Sequence, residues 1–433
     1  MIAKSNSSLF SIFKDRTFFL CLFSAAGIYF SINMHRISIL IFAVNIISLL
    51  FLSYTEIFCE LFFLFPFMMV YKMSPSSTSL FTYLMMGSVF FLYIRYRVRI
   101  KIHFLVLFLI FLFYLLAGST NNITGCIKLL FGLLLVYFFV MHIQREYFAI
   151  IILYMSLGTF FSALIGLRKN SWPALRSFYS DLNAEYINGT RTHRFSGLYQ
   201  DPNYFSIIII ICILCLLIFA YLKELNIYFA HALSIILAVF GLLTYSKIFY
   251  VILVAIILIL ISIRIKSSGK LLESSIIAAV IICAFYYLAY RYGIIANILY
   301  RFRADDISNN RYAIWSNYIS YFGQSLKTLI VGDGIGCGVL GRAGAHNFYL
   351  ELIYYLGLIG GSIYISLCLY LLKAGKKIEQ YRPLNFSLLL LMNVVSLTLG
   401  MLLNNDFPFI LMSIWIVMNT DIKRLDRERR FNI

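Results

Sequence analysis

The chain has 433 residues, of which 62% are hydrophobic and only 12% are charged. Soluble proteins average about 45–50% apolar and about 25% charged residues, so this composition excludes a water-soluble enzyme, a disordered chain and a disulfide scaffold. The net charge of +18 is spread in short clusters between long apolar runs. That distribution argues against nucleic-acid binding and is typical of loops between membrane helices. The sequence therefore predicts a polytopic membrane protein.

Apolar runs that approach the length needed to cross a bilayer, about 20 residues, recur along the whole chain. They predict an all-α transmembrane helical bundle of about fourteen spans. Twelve spans is the alternative, because an even change in the number of spans leaves each basic loop on the same side of the membrane. The predicted spans are residues 17–32, 37–53, 56–71, 79–95, 102–117, 123–141, 147–166, 203–222, 226–243, 246–263, 273–291, 346–372, 385–402 and 407–420.

Basic residues orient these spans, because cytoplasmic loops carry an excess of Lys and Arg. The N-terminus is basic and leads into an apolar run without a signal-peptide cleavage site, so this run is interpreted as an uncleaved first membrane helix. The basic residues before it place the N-terminus in the cytoplasm. The 95–101 loop and the basic C-terminal tail fall on the same side. The localisation predicted is an inner (plasma) membrane with multiple spans.

Two long loops, 167–202 and 293–345, then lie on the opposite side of the membrane. They divide the chain into N-terminal helices at 1–166, central helices at 203–292, and C-terminal helices with the basic tail at 346–433. Both loops contain several arginines, which are either ordinary solvated charge or an anion site. The second interpretation rests on the guanidinium fork, which matches phosphate oxygens in bidentate fashion.

The first loop ends in THRFSGLYQDPNYFS, residues 192–206, directly before an apolar span. Asp201 is predicted to cap that helix and Pro202 to take its first position. Arg194 is thereby held near the mouth of the bundle. Lys247, in the segment LLTYSK, is predicted near the same surface. It either snorkels to the interface or binds a ligand.

The second loop contains NNRYAIWSNYISYFG, residues 309–323, with the spacing of an amphipathic helix headed by Arg311. Tyr312, Trp315 and Ile319 form an apolar stripe that is expected to lie on the membrane surface. The following segment LIVGDGIGCGVLGRAG is rich in glycine. It is either a flexible loop, which is favoured, or a backbone cradle for phosphate.

His346 follows this glycine-rich segment at the start of a predicted span, on the same side as Arg194 and Arg311. A neutral imidazole there can remove a proton from a sugar hydroxyl near neutral pH. His193 is the weaker candidate for that role.

No metal site is predicted. Cys212 and Cys215 form a CxxC inside an apolar run and are interpreted as small buried side chains. Asp305 and Asp306 are adjacent but have no accompanying ligand motif, so they are interpreted as solvated loop acids.

These pieces together resemble the O-antigen polymerase (Wzy-type) and O-antigen ligase superfamily of bacterial membrane glycosyltransferases. The matching segments are RFSGLYQDPNYFS, TYSK, NRYAIW with the glycine-rich stretch, and HNFYLELIYYLGLIG, within about 190–361. The family commonly has Arg where this chain has Lys247, and often a Pro before its glycine-rich turn. Lys keeps the charge but loses the bidentate fork.

The resemblance implies a GT-C-like bundle that transfers glycans from an undecaprenyl-diphosphate-linked donor at the periplasmic face, without metal or cofactor and with inversion. Arg194 and Arg311 would bind the diphosphate with help from Lys247, and His346 would be the catalytic base. Supporting roles would fall to four further residues: Tyr199, Asp201, Asn203 and Asn347.

The resemblance leaves the acceptor open. A polymerase, which is favoured, would transfer the glycan to another lipid-linked repeat unit, whereas a ligase would transfer it to the lipid A core. The expected partners are the lipid-linked donor and acceptor, the bilayer, a chain-length regulator and a flippase, with no nucleic acid. A third hypothesis is that the chain is itself a flippase. Transporters, however, tend to contain internal repeats, and no such repeat is evident in the sequence.

Overall fold

The architecture comes from a computed structural model. It describes residues 15–31, 36–72, 78–118, 122–167, 184–187, 190–199, 201–254, 290, 295–296, 299, 311–337, 340, 344–374 and 406–420. The predicted span 385–402 lies outside these residues, as do 273–291 apart from residue 290 and the second half of 246–263.

Helices make up almost all of the described chain. They are α1 (Arg16–Ser31), α2 (Arg36–Ser48), α3 (Tyr54–Leu64), α4 (Leu80–Tyr96), α5 (Ile102–Ala117), α6 (Ile123–His142), α7 (Phe148–Gly166), α8 (Pro202–Tyr221), α9 (Ile227–Leu242), α10 (Arg311–Gln324), α11 (Leu326–Val331), α12 (Phe348–Lys373) and α13 (Asp406–Met418). A further helical segment covers 247–254. Short 3-10 turns lie at Phe65–Phe67 and Arg145–Tyr147.

The predicted helical class is confirmed for this bundle. Among the described residues, four helical stretches are long and apolar enough to cross a membrane: Ile123–His142, Arg145–Gly166, Pro202–Tyr221 and Phe348–Lys373. Six shorter apolar helices accompany them. Most helix ends lie within two residues of the predicted spans, because long apolar runs bounded by polar residues are the strongest helix signal in such a chain.

A two-stranded hairpin is the exception to the all-α prediction. Strands β1 (Ala184–Ile187) and β2 (Thr190–His193) pair antiparallel, with Ala184 opposite His193. The hairpin lies in the predicted 167–202 loop and ends directly before Arg194.

Contacts between helix termini show which of them lie at the same end of the bundle. At the first, the Arg16 end, Arg16 pairs with Glu56 at 2.9 Å and Arg145 with Glu224 at 3.5 Å. Nη1 of Arg95 donates to the carbonyl of Leu50 at 2.7 Å. The starts of α1, α3, α5 and α7 therefore meet the ends of α2, α4, α6 and α8.

At the second end, named the Arg194 end, the opposite termini meet. The backbone N–H of Asn122, before α6, donates to Ile335 at 3.1 Å, and that of Phe195 donates to Leu243, after α9, at 3.0 Å. The rings of Phe348 and Phe407 stack with centroids 5.6 Å apart, which joins the starts of α12 and α13. Helices α1 to α9 therefore alternate in direction, and α12 and α13 both begin at the Arg194 end.

Two predicted spans are wrong in detail. Residues 56–71 form α3, a 3-10 turn and a further turn, because Pro66 lacks the N–H that would continue the helix. The start of α3 is set by a capping box between Ser53 and Glu56. Predicted span 37–53 ends as a helix at Ser48.

Helix α12 is also not the continuous span that the sequence predicts. Its backbone breaks at Gly357, which has φ 63° and ψ −177°. A Cβ at this position would meet the backbone of Ile330 and Gly332, so only glycine fits. The break lies where the α10–α11 segment packs against α12.

Candidate functional site

Arg194 is buried at the Arg194 end, with 7% of its surface exposed. Its Nε donates to the carbonyl of Thr244 at 2.9 Å, and Nη2 donates to Oδ1 of Asn203 at 2.8 Å. These neutral oxygens hold the guanidinium plane between the start of α8 and the turn after α9. The position agrees with the predicted placement near the mouth of the bundle.

The start of α8 forms as predicted. Asp201 is the N-cap, its carboxylate accepts from the backbone N–H of Asn203 at 2.6 Å, and Pro202 is the first helical residue. The same Asn203 presents its amide oxygen to Arg194 and to the hydroxyl of Ser246, 3.0 Å away. Asn203 therefore links α8 to the segment that carries Lys247.

Lys247 is half-buried and begins the helical segment 247–254. Its neighbours Thr244 and Ser246 bond to Arg194 and Asn203 respectively. The TYSK segment is therefore part of the same cluster as Arg194, as the sequence predicts.

Arg311 is the first residue of α10 and is half-buried. One turn later, Nε1 of Trp315 donates to the carbonyl of Ala345 at 2.9 Å. Residues four apart share a helix face, so Arg311 lies on the face that meets the loop carrying His346.

The predicted apolar stripe on α10 is only partly present. Tyr312 and Ile319 are exposed, at 72% and 62%, but Trp315 turns toward Ala345. The buried face consists of Tyr318 and Phe322, which pack with Ala345 and Tyr354. Periodicity alone could not distinguish these two faces, because both carry large apolar side chains spaced by three or four residues.

His346 is solvent-exposed, with a left-handed backbone at φ 47°. A non-glycine residue in this region is uncommon, and such strain is concentrated at functional sites. The next residue, Asn347, is the buried N-cap of α12 and accepts from the N–H groups of Tyr349 and Leu350. Asn347 therefore fixes the point from which His346 projects.

Electrostatic interactions show that the predicted residues converge. Although His346 keeps an exposed surface, the protein atoms around its ring desolvate it and lower its pKa. The charge of Arg311 lowers the pKa further, and the Asp201 carboxylate opposes the shift. Burial also lowers the pKa of Arg311, which interacts with both Asp201 and Arg194. Asp201 is thus near enough to two arginines and one histidine, from three separate segments of the chain, to influence their pKa values.

The lowered pKa favours neutral imidazole at His346 near pH 7, which is the form that can accept a proton. Both arginines stay protonated whatever their shift. The cluster therefore presents a base beside two permanent cations. It is suited to a reaction in which a hydroxyl loses a proton while an anionic group departs.

Tyr199 is directed away from this cluster and into the bundle. Its hydroxyl donates to Asp406 at 2.6 Å, and both residues are buried at about 2% exposure. The bond ties the segment after Arg194 to the first turn of α13. The structure thus assigns Tyr199 a positioning contact. Asp406 is one of the residues that the sequence interpretation missed.

The glycine-rich segment is bonded to protein along its first part. The N–H groups of Gly332, Asp333 and Gly334 donate to Thr328, Tyr354 and Tyr355 at 2.9, 2.8 and 3.1 Å. These three donors therefore do not cradle phosphate. The two acceptors on α12 are carbonyls at the break before Gly357, and the glycines allow the backbones to approach.

The break is completed by a side chain from α5. The hydroxyl of Tyr114 lies 2.6 Å from the carbonyls of both Val331 and Leu356. The Asp333 carboxylate accepts from Tyr321 at 2.9 Å and Thr328 at 2.7 Å. This part of the segment is a fixed brace for α10, the helix that begins with Arg311.

Several predicted candidates lie elsewhere. Cys212 and Cys215 are buried and unbridged in α8. The described residues contain no group of three or more His, Cys, Asp or Glu side chains placed to hold a metal. Asp305 and Asp306 lie outside the described residues, and His193 is described only as the last residue of β2.

Four site neighbours were not predicted: Thr244, Ser246, Tyr204 and Tyr250. Thr244 and Ser246 bond to Arg194 and Asn203, whereas Tyr204 and Tyr250 are electrostatic neighbours of Arg311 and Arg194. All four lie within or beside the segments DPNYFS and TYSK, so nearness to those segments was the available signal.

Comparison with known proteins returned no match for this chain among protein-family models, curated proteins or solved structures.

Proposed function

We propose that this chain is a membrane polysaccharide polymerase of the O-antigen polymerase type. It would join undecaprenyl-diphosphate-linked repeat units at the periplasmic face of a bacterial inner membrane. The observation that supports the proposal is the grouping of Arg194, Arg311 and His346 near Asp201 at one end of an apolar helical bundle. Arg194 bonds to Asn203 in the first turn of α8, and Trp315, one turn after Arg311, bonds to Ala345 beside His346. An anion-binding pair beside a base is what glycosyl transfer from a lipid diphosphate requires.

The reaction is a single displacement. The acceptor hydroxyl attacks the anomeric carbon of the donor while His346 takes its proton, and the bond from that carbon to the diphosphate oxygen breaks. Undecaprenyl diphosphate leaves with the electron pair. Arg194 and Arg311 stabilise the negative charge that builds on the leaving diphosphate. Electrostatic stabilisation of this kind is usually the largest single contribution to catalysis. Attack from the opposite face inverts the anomeric centre.

The membrane orientation in this proposal follows from charge. The Arg16 end, with Arg95 and Arg145, is cytoplasmic, and the Arg194 end is periplasmic. Two exposed tyrosines test it: Tyr228, 83% exposed at the start of α9, and Tyr312, 72% exposed on α10. In a Cys337→Ser background, an impermeant thiol reagent applied to spheroplasts is expected to label Tyr312→Cys but not Tyr228→Cys. The reverse pattern would overturn the orientation and the site.

Reconstitution is the direct test of function. Purified chain in vesicles, supplied only with lipid-linked repeat units and a chelator, is expected to form multi-unit products on the carrier lipid. Absence of products longer than one unit, while the units bind, contradicts a polymerase. Transfer to lipid A core in the same assay would identify a ligase instead.

Deletion in the native host separates polymerase from flippase. Loss of a polymerase leaves single-unit caps on the surface glycolipid, because flipped units are still ligated. Loss of a flippase strands single units facing the cytoplasm. A deletion strain that lacks caps and accumulates cytoplasmic-facing units would contradict the proposal.

A further inference from the structure

Glu60 carries a carboxyl group in the middle of helix α3, and only 1% of its surface is exposed. It lies six residues after Tyr54, the first residue of α3, or about 9 Å along the axis at 1.5 Å per residue. Every residue of α3 from Ile57 to Leu64 is buried, and most of these neighbours are apolar. An ionisable residue in such a place in a membrane protein is costly and marks a functional site.

No described cation pairs with Glu60. The ion pairs among the described residues are Arg16–Glu56 at 2.9 Å and Arg145–Glu224 at 3.5 Å, and neither includes Glu60. An ionised Glu60 would therefore be a buried charge without a counter-ion, which is strongly unfavourable in a low-dielectric interior.

One hydroxyl group contacts the Glu60 carboxyl. Oγ of Ser48, at the end of α2, lies 3.0 and 3.2 Å from the two carboxyl oxygens. The same Oγ lies closer, at 2.7 Å, to the carbonyl oxygen of Asn45. A hydroxyl has a single hydrogen to donate, and an ionised carboxylate only accepts. Both contacts are satisfied when Glu60 is protonated, because its O–H then donates to Ser48 while Ser48 donates to Asn45.

The polar groups beyond Ser48 are buried and uncharged. Nδ2 of Asn45 donates to the hydroxyl of Tyr71 at 3.3 Å, and Oδ1 of Asn45 accepts from the hydroxyl of Ser24 at 2.9 Å. Ser24, Asn45 and Tyr71 are each at most 1% exposed. This network joins α1, α2 and the turn after α3, and it supplies hydrogen bonds to the region around Glu60 but no compensating charge.

The other titratable side chains in this part of the bundle are neutral or bonded elsewhere. They are Asp15 and Cys21 at α1, Cys59 in α3, Tyr71 after it, Arg95 in α4 and Tyr154 in α7. Thiols and phenols are uncharged at neutral pH. Arg95 donates to the carbonyls of Leu50 and Leu52 at 2.7 and 3.0 Å, and Asp15 accepts from Tyr154 at 3.2 Å.

We infer that Glu60 is a proton-binding site inside the bundle, which holds its proton at neutral pH and exchanges it at the Arg16 end. Glu56, one turn earlier on α3, has 19% of its side chain exposed at that end, about 6 Å along the axis from Glu60. On release the proton passes to water, and the carboxylate accepts the Ser48 hydrogen in place of the Asn45 carbonyl. The α2–α3 contact thus has a donor in both states.

The test is infrared spectroscopy of the full chain in a maltoside detergent at neutral pH. The C=O stretch of a protonated carboxylic acid is separate from the bands of carboxylates and amides. Glu60→Gln is expected to lose one such acid component relative to wild type. Glu56→Gln is the matched control, an ion-paired glutamate on the same helix, and should keep the full acid band. Equal acid bands in wild type and Glu60→Gln would show that Glu60 is ionised and overturn the inference.

Ser48→Ala tests the contact that holds the proton. It removes the acceptor of the Glu60 O–H, so the acid component should remain and move to higher frequency. An unmoved band would overturn the assignment of Ser48, and this comparison holds even where Glu60→Gln fails to fold. Folding is checked by the unfolding temperature, which in Glu60→Gln should be at least that of wild type because the amide is neutral and of equal size.

A pH titration of the folded wild type tests exchange and identifies the ligand. The Glu60-dependent band is expected to disappear in alkali and to return on reacidification. A band that persists while the fold is intact would overturn exchange. The band should also be equal in sodium chloride and choline chloride at fixed pH. Its loss in sodium alone would make the ligand a metal cation instead of a proton. Glu60 lies far along the chain from Arg194 and Arg311, so none of these outcomes depends on the glycosyl-transfer proposal.

Discussion

The two ends of the bundle use arginine in different ways. At the Arg16 end, Arg16 and Arg145 each pair with a glutamate, Glu56 and Glu224. At the Arg194 end, Arg194 is held by a carbonyl and an amide oxygen, and Asp201 is the carboxylate that acts on Arg194, Arg311 and His346 alike. A structural arginine is neutralised by a partner of its own. Among the described residues, Arg194, Arg311 and His346 share the influence of one carboxylate, and a cluster of this composition is suited to an anionic ligand.

Of the substitutions at the Arg194 end, replacement of His346 should have the largest effect on chain formation. His346→Ala is expected to reduce chain formation by about 10²–10⁴-fold, the range that a positioned base contributes. Farnesyl diphosphate should still bind, because the proposed mechanism assigns diphosphate binding to the arginines. The measurement is polymerisation of purified repeat units at matched protein levels. A His346→Gln variant with near wild-type rate would make His346 structural.

Replacing Arg194 or Arg311 by alanine should have the second largest effect. Arg194→Ala or Arg311→Ala is expected to cost on the order of 2–5 kcal/mol of donor or transition-state binding, as for a lost member of a buried charged contact. Lysine at either position should restore only part of the lost binding free energy, since the bidentate guanidinium is absent. The control is Arg16→Ala at the opposite end, which should leave polymerisation unchanged. An equal loss of polymerisation in Arg16→Ala would contradict the view that only the arginines of the Arg194 end bind the donor.

Replacing Gly357, at the break in α12, should lower the stability of the protein. Gly357→Ala places a Cβ against the backbone of Ile330 and Gly332 at φ 63°, and a non-glycine residue in that region costs on the order of 1–3 kcal/mol. The unfolding temperature in detergent should fall accordingly. Gly323 on α10 has open space around it, so Gly323→Ala should not destabilise the protein. Similar behaviour of the two variants would mean that the break is not fixed.

The smallest effect is a shift in pH dependence. Asp201→Asn keeps a good N-cap residue but removes the negative charge that raises the pKa of His346. The pKa should therefore fall, and the acid limb of the kcat/KM profile should move to lower pH. Arg311→Lys keeps the charge and should leave that limb in place. A limb that moves upward in Asp201→Asn would exclude His346 as the titrating base.

Local sequence was sufficient for much of the architecture. Apolar runs located the helices because burial or membrane insertion of a continuous helix depends on residues within one segment. The cap at Asp201 and the first position of Pro202 were likewise predictable, since capping involves neighbours two or three residues apart. The helix headed by Arg311 followed from its own periodicity. The basic loops also predicted which helix ends meet.

The relations between segments depended on the tertiary structure. The Tyr199–Asp406 bond joins residues 207 positions apart, and the Tyr114–Leu356 bond joins residues 242 apart. The break at Gly357 exists because the α10–α11 segment supplies partners for its carbonyls. No window of sequence contains both members of such a pair. Local motifs therefore identified Arg194, Arg311 and His346 as candidates, but only long-range packing placed them near Asp201.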